Sequence, residues 1–259
     1  MRLATWNVNS VTARQPRLLD WLRTVSPDVV CLQETKVLDG AFPAAPLEEL
    51  GYQVACNGQG RWNGVAVCSR AGLDDITRDL PFRGPPEMEG RVIAANCGGV
   101  RVWSIYAPNG RSLDSPHFGY KLEWFQSLTE LVAAELTGAK PPLAICGDFN
   151  VAPSDRDVWD PTAFIGATHV SAPERAAVQR LLDLGFQDVQ PRALKGEPFT
   201  YWDYRAGMFH KGQGMRIDLV LLQQTLAGSL GDAYVDRNAR KGPAPSDHAP
   251  VVVDVDVTR

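Results

Sequence analysis

The segment PLAICGDFNVAP (residues 142–153) starts as a core strand and ends in polar side chains able to do chemistry. Leu143, Ala144, Ile145 and Cys146 form an apolar run, and Asp148 and Asn150 follow with Phe149 between them. Side chains at i and i+2 of a strand point the same way. An extended Gly147–Asn150 stretch therefore predicts Asp148 and Asn150 on one side, with Phe149 returned to the core. The pattern recurs along the chain. TWNVNS carries Asn7 and Asn9 at the same spacing, VVCLQETK runs into Gln33, Glu34 and Lys36, and WSIYAPNGR runs into Tyr106 and Asn109. MRIDLVLL sets Asp218 in an apolar run, and APSDHAPVVV places Asp247 and His248 just ahead of one. Such strand ends, brought together, make a cluster of carboxylate and amide oxygens, the donors Mg²⁺ prefers. No His/Cys set with zinc spacing accompanies them. Each has an ordinary explanation when taken singly. Asp and Asn close turns, Asp218 fits a solvent-facing strand position, His248 fits a turn, and Tyr106 fits a core aromatic with its hydroxyl at the rim. Their recurrence at strand ends favours a shared site.

The elements that must position these residues are mostly strands. LATWNV, DVVCLQE, GVAVCS, RVIAANC, VRVWSIYA, PLAICGD, MRIDLVLL and VVVDVDV are strand-length apolar runs bounded by Gly, Pro, Asn or Asp. VVVDVDV alternates, which predicts one wet face. VIAANCGGVRVWSIYA reads as a hairpin turning at Gly98-Gly99. Helical periodicity appears in RLLDWLRTV, which follows a proline at a first-turn position, and from Phe118 to Leu136. In SAPERAAVQRLLDLG, Ser171 and Glu174 form a capping box and Gly185 marks the stop. Hairpins and crossovers mix without a steady βαβ rhythm. The expected fold class is α/β, with two packed mixed β-sheets flanked by helices. No linker or low-complexity segment interrupts the chain, so residues 1–259 are expected to form a single domain. The long loops LPFRGPPEMEGR and DYRAGMFHKGQGM carry aromatic and basic residues, as functional loops often do.

Composition narrows the partners. At 259 residues, with 44% hydrophobic and 22% charged residues, the chain is ordinary for a globular protein. No run of 18 apolar residues suggests a membrane span, and MRLATWNVNS lacks the zones of a signal peptide. A cytoplasmic location is expected. Cys31, Cys56, Cys68, Cys97 and Cys146 are odd in number and lack CxxC spacing, which predicts reduced thiols rather than disulfides. The net charge of −4 argues weakly against nucleic acid. Carboxylates gathered around a metal, however, lower the total without repelling an anionic substrate.

In chain order, ATWNVNS, CLQETK, YAPNG, CGDFNVAP, RIDLVL and SDHAPVV resemble the exonuclease III family of apurinic/apyrimidinic endonucleases, bacterial type, within the endonuclease/exonuclease/phosphatase superfamily. The likeness runs from residue 2 to residue 255. LQETK and GDFN mark the superfamily. FTYWDYR, GMRIDLVL and SDHAPV favour the DNA-repair branch over lipid and inositol phosphatases. The resemblance implies a four-layer αββα sandwich and a Mg²⁺-dependent nuclease, with Mn²⁺ as a substitute. It implies cleavage of double-stranded DNA 5′ to abasic sites, trimming of 3′ ends, and a monomer acting near the nucleoid.

The resemblance also implies roles. Glu34 would be the principal metal ligand, with Asn7 close by, Asp247 contributing, and Asp148 and Asn150 as further candidates. Asp148 would orient and activate the attacking water, and Asn150 would hold that water or the phosphate. His248 would contact a phosphate oxygen, with Asp218 bonded to its imidazole, and Tyr106 and Asn109 would flank the phosphate. An abasic sugar would lie against Tyr201, Met215 and Ile217, with Trp202 adjacent. Lys36, Arg111, Arg205, Lys211 and Arg216 would grip phosphates. Tyr201 stands where other members often carry Trp or Phe, Met215 where some carry Trp, and Asn9 where some carry Asp. Two other readings stay open: a metal-dependent phosphodiesterase or phosphatase with a non-DNA substrate, and a catalytically silent DNA-binding module. The full set of competent residues counts against the second.

Overall fold

Thirteen strands form where the β-branched and apolar runs lie, in a computed structural model that describes residues 1–78, 89–138 and 140–257. They are β1 (Arg2–Asn7), β2 (Val29–Gln33), β3 (Gln53–Asn57), β4 (Val65–Ser69), β5 (Asp74–Arg78), β6 (Val92–Cys97), β7 (Val100–Tyr106), β8 (Leu143–Asp148), β9 (Phe186–Asp188), β10 (Arg192–Ala193), β11 (Asp218–Gln223), β12 (Leu230–Val235) and β13 (Val251–Val255). One seven-stranded sheet runs β10-β12-β13-β1-β2-β4-β3, and one six-stranded sheet runs β5-β6-β7-β8-β11-β9. Most of the loop LPFRGPPEMEGR lies outside the described residues.

Strand alternation sorts the core into layers. Leu3, Cys31, Val67, Ala144, Cys146, Val220 and Val253 fill the space between the sheets. Their neighbours Ala4, Trp6, Val30 and Val252 face outward onto α1 (Val11–Val25), through Leu18, Trp21 and Leu22. On the opposite side Trp103, Ile145, Leu219 and Leu221 pack with Trp124, Phe125 and Leu128 of α3 (Pro116–Glu135) and Leu181 of α4 (Ala172–Leu182). The order is helix, sheet, sheet, helix, as the sequence predicts. Short helices α2 (Ala45–Glu48), α5 (Met208–Lys211) and α6 (Gln224–Ala227) decorate the edges.

Local expectations meet mixed outcomes. The hairpin turns at Gly98 and Gly99, both at positive φ, with Cys97 opposite Val100. The capping box of Ser171 and Glu174 opens α4. α1, however, starts at Val11 with Ser10 as its cap, so Pro16 lies inside the helix rather than in its first turn. β13 is also not a half-wet strand. It runs between β12 and β1, Val251 to Val253 are buried on both faces, and only Asp254 is half-exposed, bonded to Arg2. All five cysteines are free thiols. Among the described residues no helix is long and apolar enough to cross a membrane.

Gly147 shows how tightly the second sheet is drawn at its functional end. A Cβ there would sit 2.0 Å from the Ile105 carbonyl oxygen of β7, a backbone atom that cannot step aside without breaking the parallel ladder. Gly147→Ala should therefore destabilise the fold by about 1–3 kcal/mol, the usual cost of overpacking. Denaturant unfolding measures this; a loss under about 0.5 kcal/mol would show that β7 and β8 separate freely.

Candidate active site

Strand direction brings the polar residues together. β1 and β2 are parallel, so Asn7 and Gln33 end side by side and Glu34 follows at once. β7 and β8 are parallel, with Tyr106 opposite Asp148. The antiparallel neighbours begin where these end: Asp218 opens β11 opposite Asp148, and His248 precedes β13. One edge of the sandwich thus collects Asn7, Glu34 and His248 from the first sheet with Tyr106, Asp148 and Asp218 from the second. A strap closes that edge. Thr200 and Tyr201 N–H groups donate to the Met215 carbonyl, Ala249 N–H donates to Thr200, and Trp202 N–H donates to Asp247. Thr200 Oγ1 accepts from the Ile217 and Asp218 N–H groups.

At the centre, the Asn7 amide donates to Glu34 Oε1 at 2.7 Å and to Asp148 Oδ2 at 2.9 Å. Its own oxygen accepts the Asn9 N–H. Asn7 therefore bridges the two carboxylates through its amide nitrogen, and its oxygen, which holds the Asn9 N–H, keeps a second lone pair. Lys36 Nζ lies 2.7 Å from Glu34 Oε2 and also donates to Asn9 Oδ1. Burial opposes ionisation of Glu34, but Lys36 and the Asn7 bond outweigh it and hold the carboxyl below its ordinary range. Asp148 is buried, and that burial pushes its pKa up to about 7 against the pull of His248 and Asn7. His248 Nδ1 lies 2.7 Å from Asp218 Oδ2, and its Nε2 lies 3.8 Å from Asp148 Oδ2. Burial alone would lower the imidazole. Asp218 and Asp148 overcome it and raise the pKa to about 10, so the ring is an imidazolium at neutral pH. Burial, Glu34 and Asp148 push the Tyr106 phenol well up, which keeps it a donor, and Arg91 stacks 4.8 Å from its ring centroid.

The donor set suits a hard cation. Ligand atoms of Glu34, Asp148 and His248 lie within 4.8 Å of one another. An imidazolium has no lone pair to give, so with His248 protonated the groups of this cluster able to hold a cation are the two carboxylates. The Lys36 ammonium against Glu34 marks the place of positive charge. Asp247 lies to one side, with Oδ1 accepting from Asn9 Nδ2 at 3.0 Å. Asn150 also departs from expectation. The strand ends at Asp148 and Asn150 turns to φ 52°, so its N–H bonds Asp148 Oδ1 instead of the two side chains sharing an extended face. Its amide donates to the Ala107 carbonyl, its oxygen accepts from Asn109 Nδ2 at 3.3 Å, and one amide hydrogen remains for a substrate. Of twelve non-glycine residues at positive φ among those described, seven surround this edge: Asn9, Ser10, Glu34, Lys36, Arg111, Asn150 and His169. Such strain gathers where surrounding structure holds a functional geometry.

The proposed substrate wall divides. The half-exposed Tyr201 ring lies tilted by 57° against His248, with centroids 4.9 Å apart. Met215 and Ile217 are 7% and 2% exposed and pack with Ala152 and Val158, so they form a floor beneath Tyr201 rather than an open surface. Trp202 is buried, with Arg237 and Arg240 stacked on it, and supports the 203–213 loop instead of facing a substrate. Arg216 is a clear correction. It is buried, bonded to Asp157 at 2.6 Å and paired at both NH groups with Asp188, which holds it inside the protein rather than on the rim. Arg111, Arg205 and Lys211 are exposed on rim loops, Arg205 paired with Asp203. Sequence reasoning missed His169, which touches Asn150 and Asn109, and Lys121, fully buried beneath both. A lysine inside the apolar stripe of α3 was the available signal.

Arg216→Ala should cost about 3–5 kcal/mol in unfolding, because two buried carboxylates lose their counter-ion. The salt dependence of nucleic-acid binding should stay unchanged. A slope reduced by about one phosphate contact would restore Arg216 as a phosphate ligand.

Comparison with known proteins agrees with this geometry. Residues 4–248 match the Endonuclease/Exonuclease/phosphatase family. The exodeoxyribonuclease III of Haemophilus influenzae is 33% identical, with 97% of this chain and 98% of that protein covered. A 3′ phosphatase from Neisseria, solved with a product DNA hairpin, superposes with a TM-score of 0.94 at 42% identity, covering 99% of each chain. An AP endonuclease from Archaeoglobus fulgidus superposes at 0.92 with 35% identity, covering 99% of this chain and 100% of that one. On sequence, fold and the residues at its sheet edge, the chain belongs to the endonuclease/exonuclease/phosphatase family, in the exonuclease III group of apurinic/apyrimidinic endonucleases.

Proposed function

We propose that this protein is a metal-dependent DNA-repair hydrolase that cleaves the phosphodiester 5′ to abasic sites and trims 3′ ends. Its cation would be Mg²⁺, with Mn²⁺ as a substitute, held by Glu34 and Asp148. The observation that carries the reading is the cross-sheet cluster, in which Asn7 joins Glu34 to Asp148 while Asp218 holds His248 beside them. The relatives support it: an exodeoxyribonuclease, an AP endonuclease, and a 3′ phosphatase solved with DNA.

The cation, when bound, offsets negative charge on the phosphate oxygens. The chain's own residues supply the rest. Asp148 aims the attacking water and accepts its proton. The His248 imidazolium, fixed by Asp218, donates through Nε2 to a non-bridging oxygen as charge gathers there. Tyr106 and the free amide hydrogen of Asn150 donate from the adjoining strand end. As the water oxygen bonds to phosphorus, the P–O3′ bond breaks and the DNA 3′ oxygen leaves. Tyr201 provides a flat wall beside His248 for an abasic sugar, where a missing base lowers the cost of extrusion. Lys36, Arg111, Arg205 and Lys211 supply the positive rim. We take residues 1–259 as one catalytic unit acting as a cytoplasmic monomer.

Purified protein with Mg²⁺ should nick an abasic duplex and remove a 3′-terminal phosphate or nucleotide. Inertness toward all these substrates at every Mg²⁺ or Mn²⁺ concentration would defeat the proposal. Asp148→Asn should lower turnover by about 10²–10⁴-fold with duplex affinity nearly unchanged. A near-normal rate would remove Asp148 from the chemistry. Affinity should fall steeply as salt rises; a flat response would point to a small-molecule substrate.

A further inference from the structure

A buried lysine needs a reason, because an ammonium out of water is costly unless fully paired. Lys121 has no exposed surface, and its three N–H groups meet three acceptors: the Asn150 carbonyl at 2.7 Å, the Asn109 carbonyl at 3.2 Å, and Glu174 Oε1. Glu174 is itself fully engaged. Oε1 also accepts from Thr168 Oγ1 and the His169 N–H, and Oε2 accepts from Ser171 Oγ and N–H as the capping box of α4. The same group returns to the asparagines a second time. Thr168 Oγ1 lies 3.2 Å from the Asn109 carbonyl, and His169 Nδ1 lies 2.5 Å from the Asn150 carbonyl. With Nδ1 donating, His169 Nε2 is free to accept from Asn109 Nδ2 at 3.4 Å.

The Asn150 carbonyl is therefore gripped by two donors, Lys121 and His169, and the Asn109 carbonyl by Lys121, with the single Thr168 hydroxyl hydrogen shared between Asn109 and Glu174; all of these groups converge on Glu174. Gly110 makes room for the arrangement: at φ 89°, a Cβ there would sit 3.0 Å from Thr168 Oγ1 and 3.1 Å from Lys121 Cδ. An apolar side chain at 121 would fill the same space between α3 and α4 without burying a charge. What it could not do is fix two loop carbonyls whose neighbouring side chains point into the site. Asn150 is held at φ 52°, a conformation that persists only where surroundings enforce it.

We propose that Lys121 and Glu174 are positioning residues: they lock the backbone of Asn109 and Asn150, and so set where those two amides meet the substrate phosphate. The inference rests on the nuclease reading above and extends it to a buried network that touches no substrate. The helix cap of α4 serves as the anchor of the catalytic loop, so packing of α3 against α4 sets the geometry of the site.

The test compares Lys121→Met with Leu128→Ala, a core truncation on the same helix about two turns further along. Both are assayed on the wild-type substrate well below their melting temperatures, with circular dichroism and Tm recorded. Lys121→Met should lower kcat by about 100-fold, the scale of a displacement of about 1 Å in a catalytic group, with KM within about threefold. Leu128→Ala should keep kcat within about threefold at a similar loss of Tm. If Lys121→Met does not fold, Thr168→Val removes a single donor with little change of shape and should lower kcat about tenfold with KM unchanged. Equal kcat for Lys121→Met and Leu128→Ala, or an unchanged kcat in the Thr168→Val protein, would overturn the positioning role. An inactive wild type would instead refute the nuclease reading.

Discussion

Glu34 and Asp148 face each other across one amide, and the rest of the site answers their mutual repulsion. Their ligand atoms fall within the 4.8 Å cluster that also includes His248. Two unit charges at that distance repel by about 3–4 kcal/mol at an effective dielectric of about 20. Asn7 donates to both, Lys36 covers the far oxygen of Glu34, and the His248 imidazolium lies against Asp148. The arrangement is stable with positive charge nearby and costly without it. A divalent cation would meet that need and would also offset the negative charge that a phosphodiester gathers as it is cleaved. Structural electrostatics and chemistry therefore make the same demand of this edge.

The partners come from different sheets, so the site exists only because the sandwich is held in register at one end. Buried charges do much of that holding. Arg216 ties Asp157 and Asp188 to the strand leading into Asp218. Arg240 bonds the Ser246 and Trp202 carbonyls beneath the loop that carries Asp247 and His248. Lys121 does the same beneath Asn109 and Asn150. A saturated, buried cation fixes direction as well as distance, which an apolar contact of equal size does not. Paired carboxylates offset the burial of Arg216 and Lys121, while Arg240 rests on carbonyls and ring faces with its Nε unbonded; the gain is direction in loops that carry strained residues.

Legibility in the sequence followed the range of the interaction. The layered fold, the Gly98-Gly99 hairpin and the α4 cap depend on local periodicity and turn chemistry, and they were readable. The clustering of Glu34, Asp148, Asp218 and His248 was readable because all four lie at or beside the ends of apolar runs. Asn150 was misplaced because an extended segment and a turn after Asp148 look alike in sequence; the close approach of β7 at Gly147 decides between them. Arg216 was misjudged for a related reason. An arginine beside site residues invites a substrate role, and only the fold shows Asp157 and Asp188 closing around it. Lys121 and His169 are harder to read because the carbonyls of Asn109 and Asn150 that they hold carry no sequence signal; the lysine within the apolar stripe of α3 is the one trace.

A divalent cation held by the proposed Glu34–Asp148 pair should be measurable on the protein without substrate. Mn²⁺ binding to the full-length protein, followed by electron paramagnetic resonance at fixed pH and ionic strength, tests it directly. The account predicts saturable binding in the wild type, at least about tenfold weaker in Glu34→Gln and within about threefold of wild type in Asp247→Asn, since Asp247 lies outside the cluster. Binding that Glu34→Gln leaves intact, or that only Asp247→Asn removes, would contradict it.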